Sequence, residues 1–504
     1  MTSLPVVVVG GGPVGLAAAA HLLERGLEPL VLEAGQGPGA AVASWGHVRL
    51  FSPWRFDVDD ATARLLAPTG WTAPDPESLP TGNDLVDVYL TPLATKTPLA
   101  DRIRYGTRVV AVARQGADRT RSVGRERRPF LVRTVEPGGQ VTDVLARAVI
   151  DASGTFGQPN PIGTAGLPAV GETEAAGFLT GPLPDVLGRD RARFAGRHTL
   201  VVGMGHSAAN TLLSLVELAE AEPATRITWA IRGATARRLY GGGEADELPA
   251  RGLLGTRLRA AVDAGRLELV TRVTVDRLVP DGDVVHVTGT GRRDGADGEL
   301  DLTVSAIVNA TGFRPDLAML SEIRLDLDAV VQAPAKLAPL IDPNLHSCGS
   351  VPPHGEAVLA HPEEGFYLAG MKSYGRAPTF LLATGYEQVR SIAAALAGDQ
   401  SAADAVELAL PETGVCSSDR AQDADDAASS AAACCGTAPG PELVTLGVGA
   451  PAGADDGGAG ATRRDAGSGA PGSAGPEGRE PVVAGAKAGF ATGVAHGRSG
   501  DPVD

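Results

Sequence analysis

Two stretches of the chain share one pattern of apolar and polar residues. In the first, Val6–Val9 are all apolar, as expected for a parallel strand that is buried on both faces. A glycine turn follows, and the alanine-rich run Val14–Arg25 predicts a helix with Gly26 as a plausible C-cap. A further apolar run ends at Glu33. The stretch therefore predicts a strand, a tight turn, a helix and a second strand.

The second stretch repeats this design. The strands are predicted at Thr199–Val202 and Ile227–Arg232, and the helix between them at Ser207–Ala221. Parallel strands require a crossover connection of this kind, usually a helix. The two stretches together predict an α/β fold with two Rossmann-like domains.

Shorter β-type runs lie beside both units. The runs "RVVAVAR", "PFLVRTV" and "ARAVIDASG" predict an antiparallel meander and then a strand between Arg102 and Ile150. A second meander follows the second unit and closes with "LTVSAIVNATGFRPD". The last unit predicts a strand, a loop and a helix from about Pro378 to Ala397.

The apolar pattern ends after Gly398. Residues 401–504 are rich in Ala, Gly, Asp, Pro and Ser, and Phe490 is their only aromatic residue. Such a segment buries too little apolar surface to offset about 1–2 kcal/mol of backbone entropy per residue. We therefore expect a disordered tail, which carries Cys416, Cys434 and Cys435.

Charge excludes two classes of partner. The formal net charge is −16, whereas nucleic acids and anionic lipid surfaces require a basic surface. The one basic run, from Arg114 to Arg133, lies between strand-like segments and predicts a solvated hairpin loop.

The location is predicted from what the sequence lacks. No apolar run reaches the length of about 18 residues that a membrane span needs, and no charged region precedes "PVVVVG" as in a secretory signal. Four cysteines are too few for a disulfide framework, which favours a reducing cytoplasm.

The first glycine turn, Gly10-Gly11-Gly12-Pro13-Val14-Gly15, has the spacing of a dinucleotide-binding loop. Its first glycine allows the sharp turn, its second lets a pyrophosphate approach the backbone, and its third lets the helix pack on the sheet. Glu33 ends the next strand, where an acid can bind an adenosine ribose. Strand, helix and acid in register make this prediction specific.

The second turn, Gly203-Met204-Gly205-His206-Ser207-Ala208, has a related spacing. Its second strand ends in Arg232, with Arg237 and Arg238 close behind. An acid there would repel a 2′-phosphate, whereas an arginine pairs with it, which favours NADPH over NADH. The alternative is that these arginines are solvated surface residues. Two dinucleotide sites in one chain indicate that electrons pass from a nicotinamide to a flavin.

The order "GGGPVG … DASG … GMGHSA … ATGFRPD" resembles flavoproteins with two dinucleotide folds, and most of all the flavin-containing monooxygenases. Within that group, "VRLFSPWRF", "GMKSYGRAPTFLLATGYEQ" and "LPETGVC" resemble the flavin monooxygenases of arsenic-resistance operons. The resemblance implies FAD at the first turn and NADPH at the second. The implied cofactor-binding residues are Gly10, Gly12, Pro13, Gly15, Glu33, Gly203, Gly205, Ser207, Ala208, Arg232, Gly312 and Gly370.

Residues near the expected flavin are weighed against ordinary structural roles. Lys372 and Arg376 would add positive charge beside the ring, or they are surface residues of a connecting loop. Ser52, in "SPWRFD", is placed on the substrate side. Trp45, Trp54 and Phe56 either wall the ring or pack in the core.

The cysteines offer a soft-ligand chemistry. Cys416, Cys434 and Cys435 supply three thiolates on a flexible segment, which suits a thiophilic metalloid; the alternative is that they are incidental thiols. Cys348 lies near His346, His354 and His361 and is either part of a thiol–imidazole site or a buried cysteine. The chain contains no C-x-x-C, so dithiol chemistry beside the flavin is not expected.

These observations predict an FAD-binding domain of residues 1–165 and 316–400, an inserted NAD(P)H-binding domain of residues 166–315, and the tail of residues 401–504. The predicted function is that of a FAD-dependent, NADPH-using monooxygenase, which uses O2 on a small soft nucleophile. The resemblance makes an arsenical the candidate substrate. One alternative is an NADPH dehydrogenase without oxygen insertion. The other is a metalloid-binding protein on a flavoprotein scaffold. The sequence makes no prediction of oligomeric state.

Overall fold

The computed structural model describes residues 4–240, 249–343, 345, 351–377 and 380–408. The strands are β1 (Val6–Val9), β2 (Pro29–Leu32), β3 (Ile103–Arg104), β4 (Arg108–Arg114), β5 (Phe130–Val135), β6 (Val141–Ala146), β7 (Ala148–Asp151), β8 (Leu179–Thr180), β9 (His198–Val202), β10 (Arg226–Ala230), β11 (Glu268–Asp281), β12 (Val284–Arg293), β13 (Ala296–Val304), β14 (Ala306–Asn309) and β15 (Phe366–Leu368).

The helices are mostly short apart from four that pack on the sheets. They are α1 (Pro13–Glu24), α2 (Ala40–Ala43), α3 (Trp54–Asp57), α4 (Asp60–Leu66), α5 (Gly82–Asp84), α6 (Thr91–Lys96), α7 (Arg191–Phe194), α8 (His206–Ala221), α9 (Arg237–Tyr240), α10 (Pro249–Asp263), α11 (Ala338–Ile341), α12 (Glu356–Leu359), α13 (Leu382–Leu396) and α14 (Gln400–Asp404). None of the helices described is long and apolar enough to cross a bilayer.

The first sheet is parallel, with the strand order β15-β7-β1-β2-β3. The central strand β1 is buried on both faces, as its apolar sequence predicts. Val6 and Val8 belong to a core formed with α1 and α13. Val7 and Val9 belong to a core on the opposite face, formed with the antiparallel sheet β4-β5-β6. The sheet therefore lies between a helical layer and a small β-layer, which confirms the first predicted unit and its meander.

The second sheet has the order β13-β12-β11-β10-β9-β14-β8. Strands β11, β10, β9, β14 and β8 are parallel neighbours, and β11, β12 and β13 continue the sheet as an antiparallel meander. Val201 of β9 packs in the core of α8, whereas Leu200 and Val202 pack against the meander. The α/β fold with two similar parallel units is thus confirmed. The domain limits themselves stay predictions.

Two chain segments connect the sheets and run side by side. One follows β7 and the other follows β14. The N–H of Asn160 donates to the carbonyl oxygen of Gly312 (2.9 Å), and the N–H of Arg314 donates to that of Gln158 (3.0 Å). The Asn309 side chain donates to the Asn160 carbonyl oxygen (2.8 Å). We call this paired segment the crossing.

The arginine-rich run between β4 and β5 is not wholly solvated. Arg114 Nε donates to Glu363 Oε1 (2.7 Å), and Arg125 Nη2 donates to Glu363 Oε2 (2.8 Å). The two arginines are each 4% exposed and the glutamate is 3% exposed. The predicted solvated loop is wrong for these residues, because they are paired with an acid that lies far along the sequence.

Two predicted boundaries are also wrong. Helix α13 begins at Leu382 rather than near Pro378, since Leu381 is still extended (φ −111°, ψ 145°); Pro378 lies outside the described residues. The predicted tail contains α14, whose N-cap Asp399 accepts a hydrogen bond from the N–H of Ala402. Arg390 also donates to the Ala402 carbonyl oxygen (2.8 Å), so disorder from residue 401 is a wrong prediction for this helix. The tail beyond residue 408 lies outside the described residues.

Candidate functional site

In the first glycine turn, two positions have no room for a side chain. Gly10 has φ +100°, and a Cβ there would lie 2.8 Å from the carbonyl oxygen of Ala152. A Cβ on Gly15 would overlap the carbonyl oxygen of Gly10. Only glycine satisfies both requirements, so α1 packs directly on the turn.

Gly12 differs because the space above it is open. It is the N-cap of α1, has an extended backbone (φ −79°, ψ −176°), and a Cβ there would meet no atom within 4 Å. Pro13 is the first helical residue, where a backbone N–H is not needed. A helix N-terminus presents N–H groups and a partial positive charge. An anion such as a pyrophosphate can therefore approach the backbone here.

Glu33 is held against the same turn by two backbone groups. Its Oε2 accepts a hydrogen bond from the N–H of Gly11, and its Oε1 accepts one from the N–H of Gly35, both at 2.6 Å. Each carboxylate oxygen accepts more than one hydrogen bond. The carboxylate is thus fixed at the end of β2 with capacity left for hydroxyl donors such as those of a ribose.

The chain leaves β15 through Gly370, which touches the N-terminal end of α1. Gly370 has φ +66°, and a Cβ there would lie 3.3 Å from Cγ1 of Val14. Its N–H donates to Oε1 of Gln388 on α13 (2.8 Å), and Gln388 Nε2 lies 2.9 Å from His354 Nε2. Burial lowers the pKa of His354, although its contact with the Pro352 carbonyl opposes this. A neutral ring that donates to Pro352 and accepts from Gln388 satisfies both contacts.

Lys372 and Arg376 have different surroundings. The Lys372 side chain is fully buried, and its Nζ lies 2.6 Å from Asp151 Oδ2, where it donates a hydrogen bond, and 3.1 Å from Ser153 Oγ. The surface-loop alternative is therefore wrong for Lys372. Arg376 is exposed, and its Nε donates to Gln332 Oε1 (2.7 Å). Because Asp151 ends β7, beside the turn at Gly10, the ion pair lies at the edge of the first site.

Ser52 has a buried acid as its partner. Its Oγ donates to Asp57 Oδ1 (2.8 Å), and Asp57 is 0% exposed. Burial raises the pKa of Asp57 to about 7, and the hydrogen bond from Ser52 limits the rise. The other oxygen, Oδ2, has no partner among the described residues. The sequence analysis missed Asp57, although an acid that ends the run "SPWRF" was the available signal.

The aromatic residues near Ser52 differ in how deeply they are buried. Trp54 is 5% exposed and belongs to the core shared by α1 and α13, so the core alternative is confirmed for it. Trp45 is partly buried against the same core. The guanidinium of Arg55 lies 4.8 Å from the ring of Phe56, which is half-buried.

The second glycine turn repeats the geometry of the first. Gly203 has φ +133°, and a Cβ there would overlap the carbonyl oxygen of Ala310. Gly205 is the extended N-cap of α8, and a Cβ on it would meet no atom within 4 Å. Ser207 and Ala208 follow in the first turn of that helix. A second helix N-terminus thus opens onto free space.

Arg232 and Gly312 lie near this turn. Arg232 Nη2 donates to the carbonyl oxygens of Gly163 (2.8 Å) and Pro161 (3.3 Å). Gly312 has φ +88° and belongs to the crossing, with its ideal Cβ position 3.5 Å from Asn160 Nδ2.

The proposed thiol and imidazole ligands are not brought together in the part of the chain that is described. Among those residues, no group of three or more His, Cys, Asp or Glu side chains has a metal-binding arrangement. His354 bonds to Gln388, and His361 Nδ1 lies 3.3 Å from the N–H of Asp326. The remaining candidates, His346, Cys348, Cys416, Cys434 and Cys435, lie outside the described residues.

A comparison with protein families gives one match, a family model described as pyridine nucleotide-disulphide oxidoreductase, which covers residues 7–347. No curated protein matches the sequence.

Several solved structures are similar to the chain. The bacillithiol disulfide reductase of Bacillus cereus is 20% identical (TM-score 0.57) and covers 79% of this chain and 99% of its own. The Kutzneria sp. 744 ornithine N-hydroxylase, solved with reduced FAD, NADP⁺ and L-ornithine, is 18% identical (TM-score 0.53; 79% and 100% covered). The cadaverine monooxygenase of Erwinia amylovora is 14% identical (TM-score 0.55; 82% and 99% covered). Such identities show a shared fold.

Proposed function

Since the chain belongs to the pyridine nucleotide-disulphide oxidoreductase family, we propose that it is a flavin monooxygenase that draws its electrons from NADPH. FAD, when bound, accepts electrons from the nicotinamide and delivers them to an acceptor. The chain itself binds and orients the two nucleotides. The observation that carries the proposal is the pair of glycine turns, each with an open position, Gly12 and Gly205, at a helix N-terminus.

We assign FAD to the first turn. Gly10 and Gly15 shape the turn, Gly12 and Pro13 face the pyrophosphate, and Glu33 binds the adenosine ribose. Support comes from the fixed carboxylate and from the open space above Gly12, which a side chain would fill.

The second part of the flavin site comes from Gly370 and the segment after it. Gly370 lies against the start of α1, and the buried Lys372 lies behind it, paired with Asp151. Lys372 holds the end of β7 in place, and its positive charge is balanced by Asp151. Ser52 and Asp57 lie on α3 and its approach, and α3 packs on α13. We place the substrate on this side.

NADPH is assigned to the second turn, with Gly203, Gly205, Ser207 and Ala208 at the pyrophosphate. Arg232 lies at the ribose end, because it follows β10 as Glu33 follows β2. Gly312 shapes the return from β14 beside the same turn.

We propose a small soft nucleophile as substrate and O2 as the second reactant. The sequence resemblance to the arsenic-associated monooxygenases supports an arsenical, with the tail thiols as an accessory. The small number of cysteines supports a cytoplasmic location. The competing function is electron transfer to another acceptor without oxygen insertion. The absence of a C-x-x-C from the sequence argues against a dithiol carried beside the flavin.

The matched variants Gly205→Ala and Gly12→Ala test the two-site assignment. Gly205→Ala should keep its flavin, lose bleaching of the flavin absorbance by anaerobic NADPH, and still bleach with dithionite. Gly12→Ala should be purified without flavin. Retention of NADPH-dependent bleaching in Gly205→Ala would refute the second site.

Oxygen uptake tests the reaction type. After anaerobic reduction, air is admitted with and without an arsenite or thioether substrate, and O2 consumption, peroxide and product are measured. One oxygenated product for each O2 consumed supports the monooxygenase. Rapid reduction of a quinone with no oxygenated product supports the dehydrogenase instead.

A further inference from the structure

The segment that contains Ser52 and Asp57 touches both halves of the molecule. The ring of Phe51, the residue before Ser52, lies 5.3 Å from the ring of His206, the first residue of α8. At the other end of the segment, the hydroxyl of Tyr386 on α13 donates to the carbonyl oxygen of Asp57 (2.7 Å). Ser52 therefore lies between a contact with the second glycine turn and a contact with α13.

Helix α13 in turn reaches the first glycine turn. A Cβ on Gly385, the residue before Tyr386, would lie 2.6 Å from Cγ2 of Val14 in the first turn of α1. The segment is thus held near the N-terminal ends of both α1 and α8, where the two nucleotides are proposed to bind. A polar side chain on this segment is placed beside both sites.

The side chain of Asp57 has one hydrogen bond and one free oxygen. Asp57 is 0% exposed, and its Oδ1 accepts from Ser52 Oγ (2.8 Å). Among the residues that the structure describes, Oδ2 has no hydrogen-bond partner. Arg55, the other charged residue of α3, is exposed and pairs with Glu77 instead. Burial therefore raises the pKa of Asp57 to about 7, and the acid exchanges a proton near neutral pH.

The titratable groups that face Asp57 from neighbouring elements do not balance its charge. Tyr386 on α13 and Tyr89 in the segment before α6 are buried, which raises the pKa of each above its ordinary value. Both are therefore uncharged at neutral pH. Asp59, which precedes α4, is paired with His21 of α1 (3.0 Å). The carboxyl group of Asp57 thus depends on Ser52 alone.

The proposed reaction needs a proton that NADPH does not supply. Converting O2 into one inserted oxygen atom and one water takes two electrons and two protons. NADPH transfers a hydride, which carries both electrons and one proton. The second proton must come from water or from the protein. A side chain that titrates near the working pH is the most effective donor of this kind.

We propose that Ser52 and Asp57 deliver this second proton to the oxygen atom that leaves as water. The inference rests on the proposed monooxygenase function and assigns a step of it to this pair. The carboxyl O–H of Asp57 gives its proton to Ser52 Oγ, while the O–H bond of Ser52 breaks and a new O–H bond of water forms. Asp57 ends as a carboxylate, Ser52 is unchanged, and no electrons move at either residue.

The observed hydrogen bond fits this sequence. In the structure Ser52 donates to Asp57, which is the arrangement expected after the transfer. Water then returns a proton to Asp57 through the same hydroxyl. Ser52 is the group that contacts the reacting oxygen, and Asp57 acts through it.

Infrared spectroscopy of the full-length, flavin-loaded protein tests the pair without turnover. In the difference spectrum between the natural protein and Asp57→Asn, the band of a protonated carboxyl should disappear as the pH rises through about 7. In Ser52→Ala the same band should shift in frequency, because the hydrogen bond is lost. The control Asp60→Asn removes an exposed acid of α4 and should leave the band in place.

Kinetics separate the two halves of the reaction. Anaerobic NADPH should bleach the flavin equally fast in the natural protein, Ser52→Ala and Asp57→Asn, because hydride transfer needs no proton from the pair. With air and arsenite or a thioether, product formation by the natural protein should slow as the pH rises through about 7, where the acid loses its proton. Both variants should be about a hundredfold slower at about pH 6 and independent of pH. Asp60→Asn should keep the natural rate and pH dependence.

Four outcomes contradict the inference in different ways. A carboxyl band that does not change between about pH 5 and 9 shows that Asp57 holds no exchangeable proton. Flavin bleaching that slows as much as product formation in Ser52→Ala shows a merely structural role. If both variants form product at the natural rate with the natural pH dependence, the inference fails and the monooxygenase stands. If NADPH bleaches the natural protein but no oxygenated product forms, the proposed monooxygenase is refuted and the proton transfer with it.

Discussion

Asp57 is an acid that the fold keeps out of water. It is the last residue of α3, its Oδ1 accepts from Ser52, and the hydroxyl of Tyr386 on α13 donates to its backbone carbonyl oxygen (2.7 Å). Burial therefore favours the protonated carboxyl and raises its pKa to about 7. The protein holds this group near the point where it gains or loses a proton at neutral pH.

This pKa predicts how stability depends on pH. A carboxyl whose pKa is raised by folding contributes stability below its unfolded value, about pH 4, and that stability is lost as the pH rises through about 7. At about pH 4, Asp57→Asn should therefore have nearly the same melting temperature as the natural protein. At about pH 8 it should melt at a higher temperature and be more stable by up to about 4 kcal/mol. Thermal unfolding at the two pH values measures this difference. A gain that is equal at both pH values, or one shared by the exposed control Asp283→Asn, would contradict it.

Lys372 shows the opposite case, a buried charge with a full partner. Breaking a buried ion pair from one side leaves the other charge unpaired and costs about 3–5 kcal/mol. The free energy of unfolding of Lys372→Met, measured in urea, should fall by this amount. That of the exposed control Lys96→Met should change little. Adding Asp151→Asn to Lys372→Met should restore part of the loss. If the double variant is as unstable as the sum of the single changes, the ion pair is not the cause.

For individual residues, the sequence predicted local backbone roles better than it predicted which side chains contact each other. The steric roles of Gly10 and Gly15 were predicted because they follow from the glycine spacing of one local turn. The ribose-binding role of Glu33 stays a prediction. Lys372 was not resolved, because its partner Asp151 lies 221 positions away and burial decides between surface and core.

In the glycine turns, glycines of the same motif have different roles. Gly15 is required by packing, since its missing Cβ would overlap the turn, whereas Gly12 faces open space. Packing and ligand binding can therefore be separated by substitution within one motif.

Gly15→Ala should cost about 1–3 kcal/mol or more in unfolding free energy, because α1 must move away from the turn. Gly12→Ala should cost about 1 kcal/mol or less, as expected for an N-cap with an extended backbone, yet lose its flavin. Unfolding curves and flavin content per chain measure both effects. A flavin-replete Gly12→Ala protein would contradict the assignment of that space to a pyrophosphate.

The strands were predicted well because runs such as Val6–Val9 are buried on both faces, so the apolar pattern alone identifies them. Helix α13 was placed too early, since Leu381 is apolar and fits a helical pattern while its backbone is extended. Helix α14 was missed because it is short and lies in a run without an apolar pattern, whereas its contact with Arg390 of α13 is distant in sequence.

For the whole molecule, Glu363 and its two arginines join parts of the chain that no local pattern connects. Arg114 lies in the small antiparallel sheet, and Glu363 precedes β15 of the parallel sheet. Burial and the hydrogen bonds from Arg125 and Arg114 oppose each other, and the net effect lowers the pKa of Glu363. The charge balance of the interior thus depends on contacts between layers.

The contribution of the tail can be tested by shortening the chain. A chain ending at residue 408 keeps every contact described here, so we expect its flavin content, melting temperature and NADPH reduction to match those of the full chain. Arsenite binding, measured by calorimetry on both chains, tests the accessory thiols. Equal binding by both would contradict a role for Cys416, Cys434 and Cys435.

The crossing also has a mechanical consequence. Two bonded strands flex easily across their flat face, but twisting them would shear the hydrogen bonds of Asn160 and Arg314. The paired segments tie the chain that leaves β7 to the chain that leaves β14. We therefore expect this pairing to limit rotation of one sheet against the other, which would hold the two glycine turns in one relative orientation.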